Sequence, residues 1–466
     1  MSDKKKIAVI IPDGVGIKNY LYSKFTQHLK KNSTVILIHS VSDGAIKDIE
    51  SIHGKSFKTY KLPEYKETIK QKFLRELIHL ARLKQNKKQT KNPSLLTNWN
   101  PNKSGVNFLF YSCIELCQFI FVNRYNKILR LENLYERELF KSHDDCKELL
   151  KNIKVDTIIN THQRSIRAIP LISAAKGLHI RTYGAVFSWD NLPKARMSVR
   201  TDNYLLWSKH MLDEMLLYYP EVSRKNLHVT GTPQFEFYLQ EELLESKEVF
   251  FNNYGLDTTK KTICFSGDDE KTSPFDPIYL DHIAEEISHM REDEKPQILL
   301  RRCPVDISKR FEKVVDKYPD IIKKVDPLWN FDKSENWTLI YPSFKDVKLL
   351  VNTVFHSDAV INVGSTMAHD FAMYKKPAIY LNYNPVVSEH WSIETIYKFQ
   401  HFRSLDDLKP VYWLNSRTKI SEVIQRAIDL EKSTEIISDS QKWLNIISTN
   451  RLNASKDIAN LLSKTN

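Results

Sequence analysis

Short apolar runs separated by helical patterns fill the first 40 residues of the chain and return between about 155 and 230. The first run, 7–11, is followed by Asp13-Gly14-Val15-Gly16 and then by a helical stretch to about Lys31. Runs of this length predict buried strands, and strands that alternate with helices predict a parallel sheet. The strands predicted in this half are 7–11, 34–39, 155–160, 180–188, 204–207 and 227–230.

The same alternation restarts after a charged stretch, 240–248, which is typical of a connection between domains. The strands predicted in the second half are 262–266, 297–301, 338–341, 359–363 and 378–381. The pattern therefore predicts an α/β protein with two tandem, doubly wound, Rossmann-like domains. Helical patterns at 420–430 and 438–462 close the chain, and we predict that they pack at the domain junction.

A helical and basic region interrupts the first series between residues 40 and 150. From Glu76 to Glu115 it contains six Lys and Arg residues and no acid in between. A cluster of this kind favours an anionic partner, and an anionic membrane surface is one such partner. The lysines that we expect to face it are Lys84, Lys87, Lys88 and Lys91.

The segment 106–122 in the same region is apolar except for a stripe of polar positions. Ser112, Glu115 and Gln118 recur every three residues and mark one face of a helix. The stripe argues against a transmembrane span, which needs about 20 predominantly apolar residues. The favoured interpretation is a helix packed on the first sheet, and the alternative is a helix that docks on a membrane surface.

Composition narrows the class of protein. The 466 residues allow two or three domains, and 41% hydrophobic residues indicate a folded, globular chain. The net charge of +12 suits an anionic partner. Five cysteines without CxxC spacing indicate neither a disulfide framework nor a zinc site, which fits a reducing cytoplasm. The first apolar run is too short for the core of a signal peptide.

The most informative segment for chemistry follows the predicted strand 359–363. Gly364, Ser365 and Thr366 come next and open a helical pattern, so phosphate oxygens can approach backbone N–H groups there. Asp370 lies one helical turn further, where its carboxylate is placed to accept hydrogen bonds from ribose hydroxyls. The structural alternative is an ordinary helix cap with a solvated aspartate.

Two other predicted strand ends add weaker candidates. Arg301 ends the strand 297–301, at the edge where a parallel sheet opens its ligand crevice, and its charge suits a diphosphate. Tyr341 and Pro342 end the next predicted strand, where the backbone is placed to read the edge of a nucleobase. The acidic run 268–270 is interpreted as an exposed turn rather than a metal site.

These motifs carry a resemblance. The strand, Gly-Ser-Thr, helix and acid, followed by Lys376-Pro377-Ala378-Ile379, resemble the donor-nucleotide site of the two-domain (GT-B) glycosyltransferases. Further motifs resemble a family of bacterial GT-B-like proteins encoded with surface-polysaccharide enzymes. They are Ser188-Trp189-Asp190-Asn191-Leu192, the run 202–208, the run 229–235 and Tyr397-Lys398-Phe399-Gln400-His401-Phe402. The resemblance covers about 7–39 and 155–430 and omits the basic middle of the first domain.

The chain also departs from these relatives. The related CDP-glycerol and sialic-acid transferases carry Arg-x-His-Pro or His-Pro where this chain has Arg301-Arg302-Cys303-Pro304, so a histidine of that motif is missing. The dinucleotide fingerprint GxGxxG is absent as well, which argues against NAD or FAD.

An inverting sugar transfer needs a general base that faces the acceptor hydroxyl. Three residues of the first domain follow predicted strands, at the carboxyl ends where ligands bind. They are Asp190, Asp13 and His162. The structural alternatives are a loop cap for Asp190, a turn residue for Asp13 and a surface side chain for His162.

The resemblance implies a metal-independent GT-B glycosyltransferase that moves a sugar from a nucleotide sugar to a hydroxyl of a glycan or lipid-linked glycan, in capsule or lipopolysaccharide synthesis. Alternatives are a nucleotide-sugar 2-epimerase, a polyol-phosphate transferase and a non-catalytic scaffold of a polysaccharide assembly complex. We expect no cofactor, no nucleic acid partner and a cytoplasmic protein that contacts the inner face of the membrane. The expected domains are 1–240 for the acceptor, with a helical insertion at about 60–150, then 250–430 for the donor and 431–466 for closing helices.

Overall fold

The computed structural model of the chain describes residues 4–121, 124–140, 143–331 and 340–464. The chain divides into two compact units. Unit 1 comprises Met1–Pro233, Phe399–His401 and Ile447–Asn466, and unit 2 comprises Gln234–Lys398 and Phe402–Ile446. The chain therefore leaves unit 1 after Pro233, contributes three residues to it again at Phe399–His401, and returns to it at Ile447.

Unit 1 is built on a sheet of seven parallel strands in the order β3-β2-β1-β4-β5-β6-β7. The strands are β1 (Lys5–Ile11), β2 (Ser33–His39), β3 (Lys58–Lys61), β4 (Thr157–Asn160), β5 (Arg181–Ala185), β6 (Asn203–Leu206) and β7 (Leu227–Val229). The helices are α1 (Phe25–Asn32), α2 (Asp43–His53), α3 (Ile69–Thr90), α4 (Val106–Cys117), α5 (Tyr125–Phe140), α6 (Asp144–Ile153), α7 (Ile169–Gly177) and α8 (Lys209–Tyr218). The central strands are buried, as parallel strands covered on both faces must be.

Unit 2 has a sheet of six parallel strands in the order β10-β9-β8-β13-β14-β15, and a separate antiparallel pair. Its strands are β8 (Thr262–Ser266), β9 (Gln297–Arg301), β10 (Ile322–Lys324), β11 (Trp329–Asn330), β12 (Tyr341–Pro342), β13 (Ala359–Asn362), β14 (Ala378–Leu381) and β15 (Tyr412–Leu414). Its helices are α9 (Lys247–Tyr254), α10 (Asp276–Ser288), α11 (Glu312–Lys317), α12 (Phe344–His356), α13 (Met367–Ala372), α14 (Ile393–Tyr397), α15 (Ile420–Ile428) and α16 (Thr434–Ile447).

A last helix, α17 (Ala454–Ser463), belongs to unit 1 and packs against α1 and β1. The Lys5 ammonium donates to the carbonyl of Leu462 at 2.9 Å. The first predicted closing helix, 420–430, therefore forms as α15 in unit 2, whereas the second, 438–462, divides into α16 of unit 2 and α17 of unit 1.

The prediction of two tandem parallel α/β domains is confirmed, but several elements differ. The edge strands β3, β10 and β15 lie where the sequence pattern predicts none. The strand predicted at 338–341 is reduced to β12, which pairs antiparallel with β11 outside the six-stranded sheet. Residues 338 and 339 of that prediction, and Val122 at the end of the predicted helix 106–122, lie outside the described residues.

The helix predicted at 106–122 forms as α4, but only part of its apolar surface is covered. Ile114 is completely buried in the core of unit 1, and Phe110 and Tyr111 pack against that core, whereas another apolar face is open. Val106, Leu109 and Leu116 are 88%, 72% and 71% exposed.

Part of the polar stripe also turns toward the protein. Gln118 is 1% exposed, and Glu115 accepts hydrogen bonds from Trp99 and Lys103. The prediction of a helix packed on the core is therefore confirmed for one face of α4 and wrong for the other, because periodicity shows that a helix has two faces but not how much of each is covered.

None of the helices in the described part of the chain combines the length and apolar character needed to cross a bilayer.

Candidate functional site

The order of strands in a parallel sheet marks where a ligand crevice opens. In unit 1 the chain runs from β1 outward through β2 and β3, and then returns to place β4 on the other side of β1. The loops after β1 and β4 therefore leave the sheet in opposite directions, and ligands bind at such a switch point. Asp13 follows β1 and His162 follows β4, so the structure brings these two predicted residues to the switch point.

The Asp13 and His162 side chains form a buried hydrogen-bonded pair. Asp13 Oδ2 lies 2.8 Å from His162 Nδ1, and the two side chains are 1% and 3% exposed. Asp13 Oδ1 accepts a second hydrogen bond from the Val15 amide at 3.2 Å. Since a carboxylate accepts from Nδ1–H, the neutral ring keeps its lone pair on Nε2. His162 Nε2 is buried and has no hydrogen-bond partner among the described residues.

A close approach of two loops holds this pair together. A Cβ atom on Gly16 would lie 2.3 Å from Thr161 Oγ1, so only glycine fits at that position. Thr161 itself is fixed, because its hydroxyl donates to the Ile10 carbonyl at 2.9 Å. The turn that carries Asp13 is thereby pressed against the residue before His162. Gly16 thus serves loop packing in this fold.

The carboxylate of Asp190, the third predicted base, is already engaged in an ion pair and a hydrogen bond. It contacts the Lys194 ammonium and accepts from Asn191 Nδ2 at 2.9 Å. Burial raises the pKa of this carboxyl, but the Lys194 and His401 charges outweigh burial and hold the pKa well below its usual range. The neighbouring Trp189 ring packs edge-on against His401 at 4.7 Å between centroids. Asp190 is therefore an ionised group that organises its loop.

Unit 2 has its own switch point, between β8 and β13. The loop after β13 contains Gly364 with φ at +66°, a conformation that favours glycine. A Cβ atom there would lie 2.7 Å from the Phe402 ring. Ser365 follows, with its amide bonded to Asn362 Oδ1 at 2.8 Å, and Thr366 leads into α13. The residues Gly364 to Thr366 are partly exposed, so the loop presents backbone and hydroxyl groups to a ligand.

Asp370 lies one turn further in α13, as the sequence predicts, but it is 5% exposed. Burial first, and then the charge of Asp370, raise the pKa of the Tyr238 phenol well above its ordinary value. Tyr238 comes from the helical turn 233–239 and is 3% exposed. The carboxylate thus sits inside the unit beside a phenol, and not on an open surface as a solvated cap would.

Arg301 ends β9, but its charge is neutralised within the protein. One guanidinium nitrogen, Nη2, donates to both carboxylate oxygens of Asp346 at 2.9 and 3.0 Å. Asp346 lies in the first turn of α12 and also accepts from the Leu328 amide and Trp329 Nε1. The structure therefore differs from the predicted free cation, because a buried arginine acquires a carboxylate partner. Arg301 Nη1 is buried and without a partner in the described residues.

The two residues predicted to read a nucleobase are part of the small antiparallel sheet. Tyr341 pairs with Asn330 and Pro342 pairs with Trp329. Both Tyr341 and Pro342 are buried. This backbone is thus engaged by β11 and does not form an open strand end.

The acidic run 268–270 is not simply an exposed turn. Burial, and then the nearby Asp276, raise the pKa of Asp268 to about 7. Burial also raises the pKa of Asp276 to about 6. The Asp268 amide donates to Asp276 at 2.7 Å, and Arg310 donates to the Asp268 carbonyl at 2.6 Å. No group of three metal-ligating side chains occurs among the residues that the structure describes.

Three features of these sites escape sequence reasoning. Asp13 and His162 are each found from their places after strands, but their pairing depends on the strand order. Tyr238 and Asp346, which contact predicted site residues, lie in a connecting turn and on a helix and carry no motif. What identifies Tyr238 and Asp346 as site residues is their burial against other elements, and only the folded chain shows that burial.

Comparison with known proteins supports the fold. No family model and no curated protein matches the chain. Among solved structures, the UDP-GlcNAc 2-epimerase from Neisseria meningitidis bound to UDP-GlcNAc is 12% identical, with a TM-score of 0.55 over 98% of this chain and 99% of that chain. The S. aureus MnaA–UDP co-structure is 11% identical, with a TM-score of 0.54 over 98% and 95%.

The UDP-GlcNAc 2-epimerase from Methanocaldococcus jannaschii is 10% identical, with a TM-score of 0.52 over 98% of this chain and 99% of that chain. At this level of identity the likeness concerns the fold alone. The chain therefore has the two-domain GT-B fold that these proteins share.

Proposed function

We propose that this chain is a GT-B glycosyltransferase that moves a sugar from a nucleotide-sugar donor to a hydroxyl group of a glycan acceptor. The observation that carries the proposal is the Asp13–His162 pair at the switch point of unit 1. An imidazole whose Nδ1 is oriented by a carboxylate, and whose Nε2 has no partner among the described residues, can act as a general base when an acceptor hydroxyl reaches Nε2. Asp13 acts as the positioning residue, since it fixes the tautomer of His162.

In this mechanism His162 Nε2 accepts the proton of the acceptor hydroxyl. As the proton leaves, the acceptor oxygen forms a bond with the anomeric carbon, and the bond from that carbon to the nucleotide diphosphate breaks with its electron pair. The products are the glycosylated acceptor and the nucleoside diphosphate. The loop of Gly364, Ser365 and Thr366 stabilises the departing phosphates through backbone and hydroxyl groups.

The nucleotide is assigned to unit 2 because its switch-point loop is partly exposed and glycine-dependent. Two of the structures with the same fold are complexes with UDP or UDP-GlcNAc, which makes uridine nucleotides the first choice. Asp370 is proposed to reach the ribose from its position beside Tyr238. A metal ion or a redox cofactor has no part in the proposal.

A UDP-GlcNAc 2-epimerase is the second candidate, and the fold comparison favours it. The three structures named above match over almost the whole chain. Two of them are UDP-GlcNAc 2-epimerases, and the third is the MnaA–UDP complex. An epimerase acts on the donor alone. Formation of a C2 epimer from UDP-GlcNAc without an acceptor would therefore establish this candidate, whereas acceptor-dependent release of UDP would establish the transferase.

A thermal-shift panel of UDP, CDP, CMP and GDP tests nucleotide binding directly. A nucleotide at 100 times its dissociation constant should add about 2.7 kcal/mol to the free energy of unfolding. At the same nucleotide concentration the Gly364→Ala variant, if its affinity is tenfold weaker, should gain only about 1.4 kcal/mol, and less if the loss is larger. If none of the four nucleotides stabilises the wild-type protein, a non-catalytic scaffold becomes the better account.

The acceptor is proposed to be lipid-linked, because α4 offers a docking face for the inner surface of an anionic membrane. One apolar face of α4, with Val106, Leu109 and Leu116, points outward, and Phe119 and Ile120 extend it with 68% and 56% exposure. Lys84 lies 5.0 Å above the Phe119 ring, so the basic end of α3 flanks this face. Each lysine near an anionic surface contributes about 1 kcal/mol to binding.

Flotation with phosphatidylglycerol vesicles tests this docking face. We expect the wild type to float at low salt and to remain at the bottom of the gradient at high salt. The Leu109→Asn, Leu116→Asn double variant should not float, whereas Leu452→Asn, at an equally exposed leucine of unit 1, should float normally. A wild type that never floats would contradict the membrane proposal. A double variant that is monomeric where the wild type is dimeric would also contradict it, because the apolar face of α4 would then be covered by a second copy of the chain.

A further inference from the structure

The amino ends of the seven strands of unit 1 form one edge of the sheet, and the loops that carry Asp13 and His162 lie at the other edge. From three positions before each strand to its second residue, the described chain has twelve Lys and Arg residues and two acids, Asp156 and Asp202. From the last two residues of each strand to three positions beyond, it has two basic residues and two acids. The amino edge is therefore strongly basic, whereas the edge of the proposed site is balanced.

Six exposed lysines lie along this basic edge, and we call them the amino ridge. They are Lys4, Lys31, Lys58, Lys154, Lys225 and Lys464. The Lys4 ammonium donates to the Lys31 carbonyl at 3.3 Å, which brings the lysines before β1 and β2 together. Lys464 follows α17 and reaches the same edge, because its carbonyl accepts from the Lys5 ammonium at 2.9 Å. The amino ridge thus combines residues that are far apart in the sequence.

The charges of the amino ridge are not compensated by neighbouring acids. None of the six lysines forms a salt bridge with a carboxylate in the described part of the chain. The two acids of this edge bind the backbone. Asp156 accepts from the Lys6 amide at 2.7 Å, and Asp202 accepts from the Thr182 amide at 3.0 Å. Even with both acids counted, the edge keeps a large net positive charge.

The amino edge of the sheet in unit 2 is different. Lys260 and Lys261 precede β8, and they pair with Glu292 and Asp358 at 3.0 Å each. Lys295 precedes β9 and pairs with Glu292 at 2.9 Å. Lysines before parallel strands are therefore compensated in unit 2, whereas the amino ridge of unit 1 leaves its lysines to repel one another.

The pKa values of two groups at the basic edge reflect this repulsion. Burial first, and then the Arg181 charge, lower the pKa of Lys5. Burial, followed by the Arg224 and Lys464 charges, lowers the pKa of His228. Like charges thus act on one another from β1 to β7. Negative charges placed along the edge would relieve this repulsion.

The amino ridge is a row rather than a compact pocket. Neighbouring strands lie about 4.8 Å apart, so the seven strand ends span about 29 Å. The lysines stand at the amino ends of β3, β2, β1, β4 and β7 along this row. A small anion would contact one or two of them, whereas an extended chain with regularly spaced negative charges would contact most of them.

Two observations narrow the class of anionic partner. None of the strongly exposed, large apolar side chains of the described residues falls at the amino ends of these strands, so no anchor for a bilayer is present there. These positions also contain no exposed Phe, Tyr or Trp among the described residues, although proteins that bind single-stranded nucleic acid stack bases on such rings. The edge therefore suits a hydrophilic polymer that is recognised by its charge.

We propose that the amino ridge binds an acceptor glycan that carries one negative charge in each repeat. The inference rests on the proposed function, of which it names the acceptor class. The seven residues of β1 separate the two edges of the sheet by about 20 Å. A glycan held on the amino ridge reaches His162 with its end only if it is longer than this distance, so long acceptors should bind better than short ones.

Calorimetric titration of the full chain tests the inference. The probes are polygalacturonate, poly(glycerol phosphate), neutral dextran and the single-stranded oligonucleotide oligo(dT). We expect at least one of the two anionic polymers to bind, and at least tenfold more tightly than its own monomer, while dextran does not bind. Binding of neither anionic polymer would overturn the inference. Equal affinity for polymer and monomer would also overturn it, and so would oligo(dT) that binds as tightly as the better polymer.

The salt dependence of binding counts the lysines involved. For a single-stranded phosphate polymer each contact contributes about 0.7 to the slope of the logarithm of the dissociation constant against the logarithm of the salt concentration. Six contacts therefore predict a slope of about 4 for poly(glycerol phosphate). The Lys154→Gln, Lys225→Gln double variant should lower this slope by about 1.4.

A matched double variant controls for net charge. Lys47→Gln, Lys209→Gln removes two exposed lysines of unit 1 that lie outside the amino ridge, so it changes the total charge by the same amount. It should bind the polymer with the wild-type slope. Equal slopes in the two double variants, with both proteins as thermally stable as the wild type, would show that the polymer does not bind at the amino ridge.

Two further readouts separate this inference from the proposed function. The Lys154→Gln, Lys225→Gln variant should respond to UDP as the wild type does, because the nucleotide is assigned to unit 2. It should also float normally with phosphatidylglycerol vesicles, and a variant that no longer floats would show that the amino ridge contacts a membrane instead. A protein that binds an anionic polymer but no nucleotide would contradict the proposed function and support the amino ridge. A protein that binds UDP but no anionic polymer would contradict the amino ridge alone.

Discussion

At the switch point of unit 1, two side chains that follow neighbouring strands are hydrogen-bonded to each other. At the switch point of unit 2, the loop after β13 is held by the Asn362 side chain and packs against the Phe402 ring. The Asp13–His162 pair is almost completely buried. The residues Gly364 to Thr366 are partly exposed. The same position in two similar sheets therefore carries an oriented titratable pair in unit 1 and an accessible loop in unit 2.

This difference indicates a division of labour. A proton-transfer group gains from burial and from a fixed neighbour, since both set its tautomer and direction. A loop that binds a charged nucleotide gains from access and from backbone groups that approach the ligand closely. Removal of the His162 imidazole should then impair proton transfer in unit 1, and addition of a side chain at Gly364 should impair nucleotide binding by unit 2.

The largest effect is expected for His162→Gln. Loss of the general base should lower kcat by about 100- to 10,000-fold, while the dissociation constant for the nucleotide stays near the wild-type value. His39→Gln is a matched control, because His39 ends β2, is 3% exposed and bonds to the Val41 carbonyl. The measurement is acceptor-dependent UDP release. A His162→Gln enzyme within threefold of the wild type would exclude His162 as the base.

A smaller effect is expected for Gly364→Ala. The positive φ costs about 1 to 2 kcal/mol for any other residue, and the contact with Phe402 adds about 1 to 3 kcal/mol of overpacking. The loop should shift, and nucleotide affinity should fall at least tenfold. Gly255→Ala is the matched control, since its φ is +64° but nothing lies within 4 Å of the added Cβ. Equal nucleotide affinities in the two variants would show that the Gly364 loop does not touch the nucleotide.

The smallest effect concerns pH. The folded protein holds the Asp268 and Asp276 pKa values at about 7 and about 6, above the ordinary 3.8. Between pH 4 and 7 it therefore binds more protons than the unfolded chain, and the free energy of unfolding falls as pH rises. Asp268→Asn should make Tm less dependent on pH between 5 and 7.5, whereas Glu270→Gln, at the exposed neighbour, should follow the wild type. Parallel curves for all three proteins would contradict the raised Asp268 pKa.

The sequence predicts long, buried elements well and short or edge elements poorly. The strands β8 and β14 have the predicted bounds, because each is a continuous apolar run between polar residues. The edge strands β3 and β10 read Lys-Thr-Tyr-Lys and Ile-Lys-Lys, and nothing in such a pattern distinguishes them from loop. The helix α4 has the predicted start, but its orientation depends on which neighbours cover it.

The candidate site shows the same limit. Strand ends alone are enough to select Asp13, His162 and the Gly364 loop from the sequence, since loops at the carboxyl ends of parallel strands bind ligands. The pairing of Asp13 with His162 requires that β4 lie beside β1, which no local pattern contains. Arg301 was selected by the same rule, but its partner Asp346 lies on a helix and reaches it only in the folded unit.

The most direct test of the division of labour is a calorimetric titration of the cognate nucleotide into the wild type, His162→Gln and Gly364→Ala, with turnover measured on the same samples. The account predicts a wild-type dissociation constant and almost no turnover for His162→Gln, and at least tenfold weaker binding for Gly364→Ala. A His162→Gln variant that loses nucleotide affinity as much as it loses turnover would contradict the separation of proton transfer from nucleotide binding.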